Sequence, residues 1–286
     1  MHLLLNKYNK IFYYDNSIFT DYTDQMRKWT SDTMTIPLTL SEDYIYIGCP
    51  HSFSSRFFLV DTANTNTSKM TIEYYYGKNL WRSVKNLTDE TSVGGKIFSK
   101  SGFISWDLPD DWIRTQVNSY PELPYDLTPR DDLGYFWVRI KSDATLSATT
   151  KLKWLGLIWT SQEYMAIKWP EVGNSAYLPT GKSDWYELIE MSTGDVADDL
   201  NINNIIDYEL QAKDINEMAK LTALKTLVNI LTPMRSSESL DKMRTDFKEQ
   251  YDKLLKKRFT SIDSDQNERI DDKESMPYDN LRLVRN

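Results

Sequence analysis

Apolar and polar positions repeat with two different periods along this chain, and the change falls near residue 180. Before it, short runs of aromatic and β-branched residues are separated by turn residues. Tyr44-Ile45-Tyr46-Ile47 ends at Gly48 and Pro50, and Arg56-Phe57-Phe58-Leu59-Val60 runs into the polar stretch Asp61–Asn66. Met70–Tyr76 meets Gly77-Lys78-Asn79 and returns as Leu80–Val84, a hairpin in which glycine and asparagine supply the positive φ of a tight turn. Further runs are Gly102–Trp106, Tyr135–Ile140 and Lys151–Trp159. In the second of these, Phe136, Val138 and Ile140 share one face against Trp137, Arg139 and Lys141, so the second face is expected to be wetter. Short strands punctuated by turns predict an antiparallel β-sandwich rather than a parallel sheet. Three prolines in Tyr120–Arg130 predict a surface loop.

After Pro179-Thr180-Gly181 the period becomes helical. Trp185, Leu188, Ile189 and Ser192 form one stripe, continued by Val196 and Leu200 past Gly194. Asp214–Glu217 resembles a capping box and opens a helix through Met218, Leu221, Leu224, Leu227, Val228 and Leu231, stopped by Pro233. A third helix starts near Ser236 with the stripe Leu240, Met243, Phe247, Tyr251, Leu254 and Leu255. Lys253, Lys256, Lys257 and Arg258 crowd its last turns, where cations suit the negative end of the dipole.

The expected fold is therefore α+β and multidomain. An N-terminal segment covers residues 1–40, an antiparallel β-sandwich 41–170, a linker 171–182, a small helical bundle 183–259, and an acidic loop with an extended C-terminal arm 260–286. No internal repeat is present.

Charge refines this picture. Lys plus Arg number 19 against 20 Asp plus Glu in residues 1–182, and 15 against 22 in 183–286, so nearly all of the net charge of −8 sits in the last third. Such a chain lacks the basic footprint of a phosphate-gripping protein. No run approaches the roughly 18 apolar residues of a membrane span, and Met1–Leu5 is too short for a signal h-region. A lone cysteine, Cys49, excludes an internal disulfide and fits a reducing compartment. Two histidines, His2 and His51, leave little for a His-based zinc site.

Candidate chemistry is sparse. Asp263, Asp265, Asn267, Asp271 and Glu274 stand at loop positions 1, 3, 5, 9 and 12 of a calcium loop of the EF-hand kind, with Ile270 at the apolar position 8. Glu268 replaces the glycine of the sharp turn, and no apolar helix follows, so a solvated acidic turn is the plainer reading. Cys49 and His51 lie two apart across Pro50 without an orienting third group, which reads as a buried thiol near a surface imidazole. Asp107, Asp110 and Asp111 are flanked by Trp106 and Trp112. Carboxylates beside aromatic platforms occur in glycosidases and sugar-binding surfaces, but a strand end and a capped turn explain the same residues. The 18 tyrosines and 9 tryptophans lack interleaved basic clusters and fit protein interfaces better than nucleic-acid stacking. Gly94-Gly95-Lys96 lacks the rest of a phosphate loop, and neither G-x-S-x-G nor H-E-x-x-H occurs. No catalytic set is identified.

From Trp185 to Glu274 the chain resembles head-to-tail connector (adaptor) proteins of tailed bacteriophages. The likeness is carried by an acidic first helix (Glu187, Glu190, Asp195, Asp198, Asp199), an Ala- and Leu-rich second helix through Leu221–Leu231, and a charged third helix closing in Asp-x-Asp-x-Asn. Tyr44–Gly48, Thr71–Tyr74 and Phe103–Pro109 look like β-sandwich modules of phage structural proteins. The resemblance implies a non-enzymatic virion component, assembled in the host cytoplasm, that forms a homo-oligomeric ring. That ring would sit between the portal protein and neighbouring neck or tail proteins, with DNA only passing through. Residues 260–286 would be the portal-docking arm, and an acidic lumen would repel DNA in transit. The alternatives are a glycan-binding β-sandwich of a tail or baseplate component, with a pocket at Trp106, Trp112 or Trp81, and a carbohydrate-active enzyme using Asp107 with Asp110 or Asp111.

Overall fold

The computed structural model describes residues 6, 9–16, 18–29, 32–40, 42–50, 52–77, 80–114, 134–170, 177–178, 181–199, 215–234 and 237–256. The chain divides into two compact units, one of Leu5–Leu157 and one of Ile158–Asn286 together with Met1–Leu4.

The first unit is β-rich. Its strands are β1 (Lys10–Asp15), β2 (Ile18–Asp21), β3 (Met34–Thr35), β4 (Tyr44–Cys49), β5 (Ser55–Thr62), β6 (Met70–Gly77), β7 (Leu80–Ser83), β8 (Thr88–Asp89), β9 (Gly102–Ser105), β10 (Phe136–Ser142) and β11 (Lys151–Gly156). They form a six-stranded sheet of order β2-β1-β4-β10-β6-β7 and a five-stranded sheet of order β3-β11-β5-β9-β8, with every pairing antiparallel. The chain passes repeatedly from one sheet to the other: β2 to β3, β3 to β4, β4 to β5, β5 to β6, β7 to β8, β9 to β10 and β10 to β11. One short helix, α1 (Thr23–Arg27), follows β2. β1, β2 and β3 all precede residue 41, so the stretch set apart as an N-terminal segment supplies strands to both sheets. The expected hairpin is present as β6–β7, with Gly77 at φ 109° and a register shift beside it.

Alternation explains the core. Ile11 and Tyr13 of β1, Ile45 and Ile47 of β4, Ile72 and Tyr74 of β6, and Val138 and Ile140 of β10 fall in one apolar cluster. The same cluster takes Phe58, Ile104, Leu152 and Leu155 from the five-stranded sheet.

The other face of the six-stranded sheet departs from the expected wet surface. Phe12, Tyr46, Tyr75, Tyr135 and Trp137 form a second buried cluster there, with Tyr14, Phe19, Tyr44 and Trp81 packed against it. Trp137 is fully buried, its ring lying over Gly48, its cross-strand partner, where an added Cβ would stand 2.6 Å from the indole. The polar members of this face are grouped: Glu73 accepts from Arg139 Nε at 2.7 Å and from Lys141 Nζ at 2.6 Å. Large aromatic side chains, not charges, occupy most of the second face, which is why period-two patterning misjudged its wetness.

The second unit is helical: α2 (Gln162–Lys168), α3 (Tyr186–Asp199), α4 (Ile215–Leu231) and α5 (Glu238–Lys256). Ser161 caps α2 by accepting from the Tyr164 amide, and Ser237 caps α5 by accepting from the Leu240 amide at 3.3 Å. α3 runs unbroken through Gly194. α4 packs against both α3 and α5. Met218, Leu221, Thr222, Ala223, Leu224, Thr226, Leu227, Ile230 and Leu231 are all buried, so this helix is enclosed on nearly every side. On α5 the stripe is graded, with Phe247 and Tyr251 buried and Leu240, Met243, Leu254 and Leu255 half-buried. Arg244 of α5 donates from Nη2 to the Leu231 carbonyl at 2.8 Å, closing the end of α4 with a cation where the dipole is negative.

Candidate functional site

Two polar sites stand out among the described residues, one in each unit. The first is an open cleft of about 470 Å³ on the β-rich unit, between the β6–β7 edge and the segment after β9. Tyr74 comes from β6, Arg82 and Ser83 from β7, and Lys85 from the turn beyond it. Asp107, Leu108, Pro109, Asp110 and Asp111 come from the chain that leaves β9. That chain is held by a backbone hydrogen bond from Asp107 to the Lys85 carbonyl at 3.0 Å.

The cleft therefore collects all three carboxylates that the sequence singled out. Asp111 is pinned: it accepts from the Tyr74 hydroxyl at 2.7 Å and from Arg82 Nη1 at 2.7 Å. Arg82 also lies 3.3 Å over the Tyr76 ring. Asp107 accepts from Asn86 Nδ2 at 2.7 Å. Asp110 and Lys85 make no side-chain hydrogen bond or ion pair with the described residues and reach the cleft with opposite charges. Burial, followed by the hydrogen bond to Asp111, raises the Tyr74 phenol above its ordinary range and keeps it a donor. Chemically, such a set offers donors and acceptors for a polyhydroxylated molecule.

The tryptophans do not join it. Trp106 and Trp112 are buried in the main core, where Phe53 packs against both rings, and Trp112 Nε1 donates to the Trp137 carbonyl at 3.3 Å. Trp81 sits on the opposite face, T-shaped against Tyr46 and Tyr75, with Arg139 4.7 Å over its ring. Each of these three indoles is thus engaged in packing against other rings. Asp110 caps no helix: residues 106–114 contain only a turn.

The second site lies in the helical unit, where a groove of about 350 Å³ between α4 and α5 is centred on Asp199. Asp199 Oδ2 accepts from the Tyr251 hydroxyl at 2.7 Å and from Lys225 Nζ at 2.8 Å, joining α3, α4 and α5 at one atom. Burial, then the Asp199 hydrogen bond, pushes the Tyr251 phenol far up. Nearby, Asn229 donates to Asp195 at 3.2 Å and to Ser192 at 3.1 Å, and Lys182 pairs with Glu187. Glu187, Asp195 and Asp199 of the acidic first helix are therefore engaged inside the unit.

Tyrosine–carboxylate pairs recur across both units. Tyr13 donates to Asp43 at 3.3 Å, and Asp43 also accepts from the Thr39 amide at 2.7 Å. Tyr186 of α3 donates to Glu163 of α2 at 2.9 Å. Burial first, and then the facing carboxylate, raises both phenols strongly. With Tyr74–Asp111 and Tyr251–Asp199 these make four struts, each tying two separate segments. Sequence reading missed them, because partners between 30 and 52 residues apart carry no local spacing signal; the 23-residue gap of Tyr186 and Glu163 is equally silent.

The remaining expectations fall as follows. Cys49 is buried, and His51 lies outside the described residues. So do Asp263, Asp265, Asn267, Asp271 and Glu274, the capping-box Asp214, and the proline-bearing stretch 120–130. Among the described residues, no group of three or more His, Cys, Asp or Glu side chains is placed to hold a metal ion. Gly94 and Gly95 have φ of 60° and 76° and close a two-residue turn between Val93 and Lys96. Among the described residues no helix is long and apolar enough to cross a membrane. No protein-family model matches the chain, and no curated protein matches it either.

Proposed function

We propose that this chain is a structural virion protein, a ring-forming head-to-tail connector set between the portal and the tail around the DNA channel, with no enzymatic step. The four tyrosine–carboxylate struts carry this reading. Each carboxylate accepts a hydrogen bond from a phenol whose proton is held more tightly than usual, an arrangement that fixes two segments against each other. A part that transmits load between neighbouring rings requires that rigidity.

In this reading the two sheets are the layers of a β-sandwich that faces outward. The strand path, alternating between sheets, and the shared apolar cluster support that arrangement. The acidic surplus of residues 183–286 keeps passing DNA from adhering. Residues 260–286 dock on the portal. The test is mass measurement and negative-stain microscopy of the purified chain, alone and with its portal. A closed ring is expected, and loss of docking but not of folding on removal of residues 260–286. A chain that stays monomeric beside the portal overturns the reading.

The cleft at Asp107, Asp110 and Asp111 favours a second reading, a glycan-binding module of a tail or baseplate component. It predicts saturable binding on a glycan array that Asp110→Ala abolishes; no binding across the array removes it.

A further inference from the structure

We propose that the aromatic face of the six-stranded sheet is a binding site for a sugar that carries a carboxylate, with Arg139 as its anchor. The site is separate from the cleft at Asp107 and independent of the ring reading.

The guanidinium is the first argument. Arg139 lies in the middle of the sheet, opposite Tyr46 of β4 and Glu73 of β6. Its Nε donates to Glu73 at 2.7 Å, and its Cζ stands 4.6 Å from the centre of the Tyr44 ring and 4.7 Å from that of Trp81. Nη1 and Nη2 make no hydrogen bond with a described residue, and the side chain keeps 19% of its surface open. Neighbours thus hold the fork in place without using its two amino groups. That is a preorganised bidentate donor for a carboxylate. Lys141 Nζ, bonded to Glu73 at 2.6 Å, stands on the same face with further N–H groups to offer.

Charge sets the sign and size of the ligand. The two cations Arg139 and Lys141 against the one carboxylate of Glu73 leave a single positive charge, on a chain whose net charge is −8. One carboxylate neutralises that surplus. A nucleic acid brings a row of phosphates to one spare cation and meets the repulsion of the whole protein.

The rings set its shape. Tyr14, Phe19, Tyr44 and Trp81 are half-buried around the buried Tyr46, with neighbouring ring centres 4.8 to 5.9 Å apart. They make a continuous apolar surface beside the guanidinium. The Tyr14 and Tyr44 hydroxyls bond to no described residue, so each offers a donor and an acceptor on that surface. A pyranose has the matching form: flat faces of C–H groups, a girdle of hydroxyls and, in uronic and sialic acids, one carboxylate. Aromatic walls with a few fixed polar groups are the usual make-up of a small-ligand site. An acidic peptide side chain supplies the carboxylate but not the flat body.

The test is isothermal titration of the full chain with trimers of glucuronate, galacturonate and mannuronate and with a sialylated trisaccharide. Saturable binding of at least one is expected. The methyl ester of that sugar keeps ring and hydroxyls but loses the charge, and is expected to bind at least about tenfold more weakly. Arg139→Lys keeps the charge but not the fork, and is expected to lose about tenfold with an unchanged circular dichroism spectrum. No binding of any of these sugars to the wild-type chain overturns the proposal, and so does an ester that binds as well as its acid. Binding that survives Arg139→Lys but fails in Asp110→Ala overturns it in favour of the cleft. Equal affinity for a hexaglutamate peptide overturns it in favour of an acidic polypeptide.

Discussion

Replacing Glu73 by Gln isolates the polar group set into the aromatic face of the six-stranded sheet. The Glu73 carboxylate holds two cations at once, Arg139 at 2.7 Å and Lys141 at 2.6 Å. The side chains are 11%, 19% and 31% exposed, respectively, which places the triad between a surface and an interior ion pair. Arg139 is further fixed between rings, 4.6 Å over Tyr44 and 4.7 Å over Trp81, and cannot swing out to water without losing both. Surface pairs contribute about 0–1 kcal/mol, whereas removing one partner of a buried pair costs about 3–5 kcal/mol. Two contacts at intermediate exposure give an expected loss of about 2–3 kcal/mol for Glu73→Gln, which preserves shape and removes only the charge. Urea unfolding of the β-rich unit, followed by tryptophan emission, measures it. Acid provides the control. Burial pushes the Glu73 carboxyl up, but hydrogen bonds from Lys141 and Arg139 outweigh it and hold the group below its ordinary 4.5. The stability it contributes is complete above that value and drains away as pH falls through the lower folded one. The wild-type chain therefore loses stability on acidification that Glu73→Gln does not. A change under 0.5 kcal/mol at neutral pH, or parallel acid profiles for the two chains, would refute the reasoning.

Tyr251→Phe removes one strut while leaving Lys225 on Asp199, and is expected to cost about 1 kcal/mol, read as a lower midpoint by far-ultraviolet circular dichroism. Gly48→Ala drives a methyl group into the Trp137 ring and should destabilise the β-rich unit by roughly 2 kcal/mol, with altered tryptophan emission. In alkali, folded Tyr13, Tyr186 and Tyr251 hold protons that unfolded tyrosine, near 10.0, releases. Stability is thus full below about pH 10 and declines above it, and the triple Phe variant should show a flatter decline by thermal melting. Calcium at millimolar concentration is expected to leave the melting temperature unmoved, as a solvated turn at Asp263–Glu274 requires. A rise that Asp263→Ala abolishes would assign the ion to that loop.

Elements with a strong period of their own were legible in the sequence. β10 is marked by alternation, β4 and β6 by aromatic and β-branched runs that end at glycine, the β6–β7 hairpin by Gly77, and α5 by its stripe ending in cations. β1 and β2 were not read, because Ile11, Phe12 and Tyr13 are buried in succession on both faces and no alternation survives. The cleft was half legible. Asp107, Asp110 and Asp111 share one short segment, but Arg82, Lys85 and Tyr74 join them only through the pairing of β6 with β7 and the anchoring of Asp107 on Lys85. Trp106 and Trp112 misled for the same reason in reverse: an indole beside a carboxylate in sequence says nothing about which side of the sheet it faces.

A sheet lined on one side by aliphatic chains and over most of the other by close-packed rings has only a shallow dry-to-wet gradient across it. Amide protons in β4 and β10, at its centre, are screened from solvent above and below as well as by their neighbours on either hand. Deuterium reaches them only when the whole unit opens, so their uptake clocks global unfolding, while β2 and β7 at the rims fray and label first.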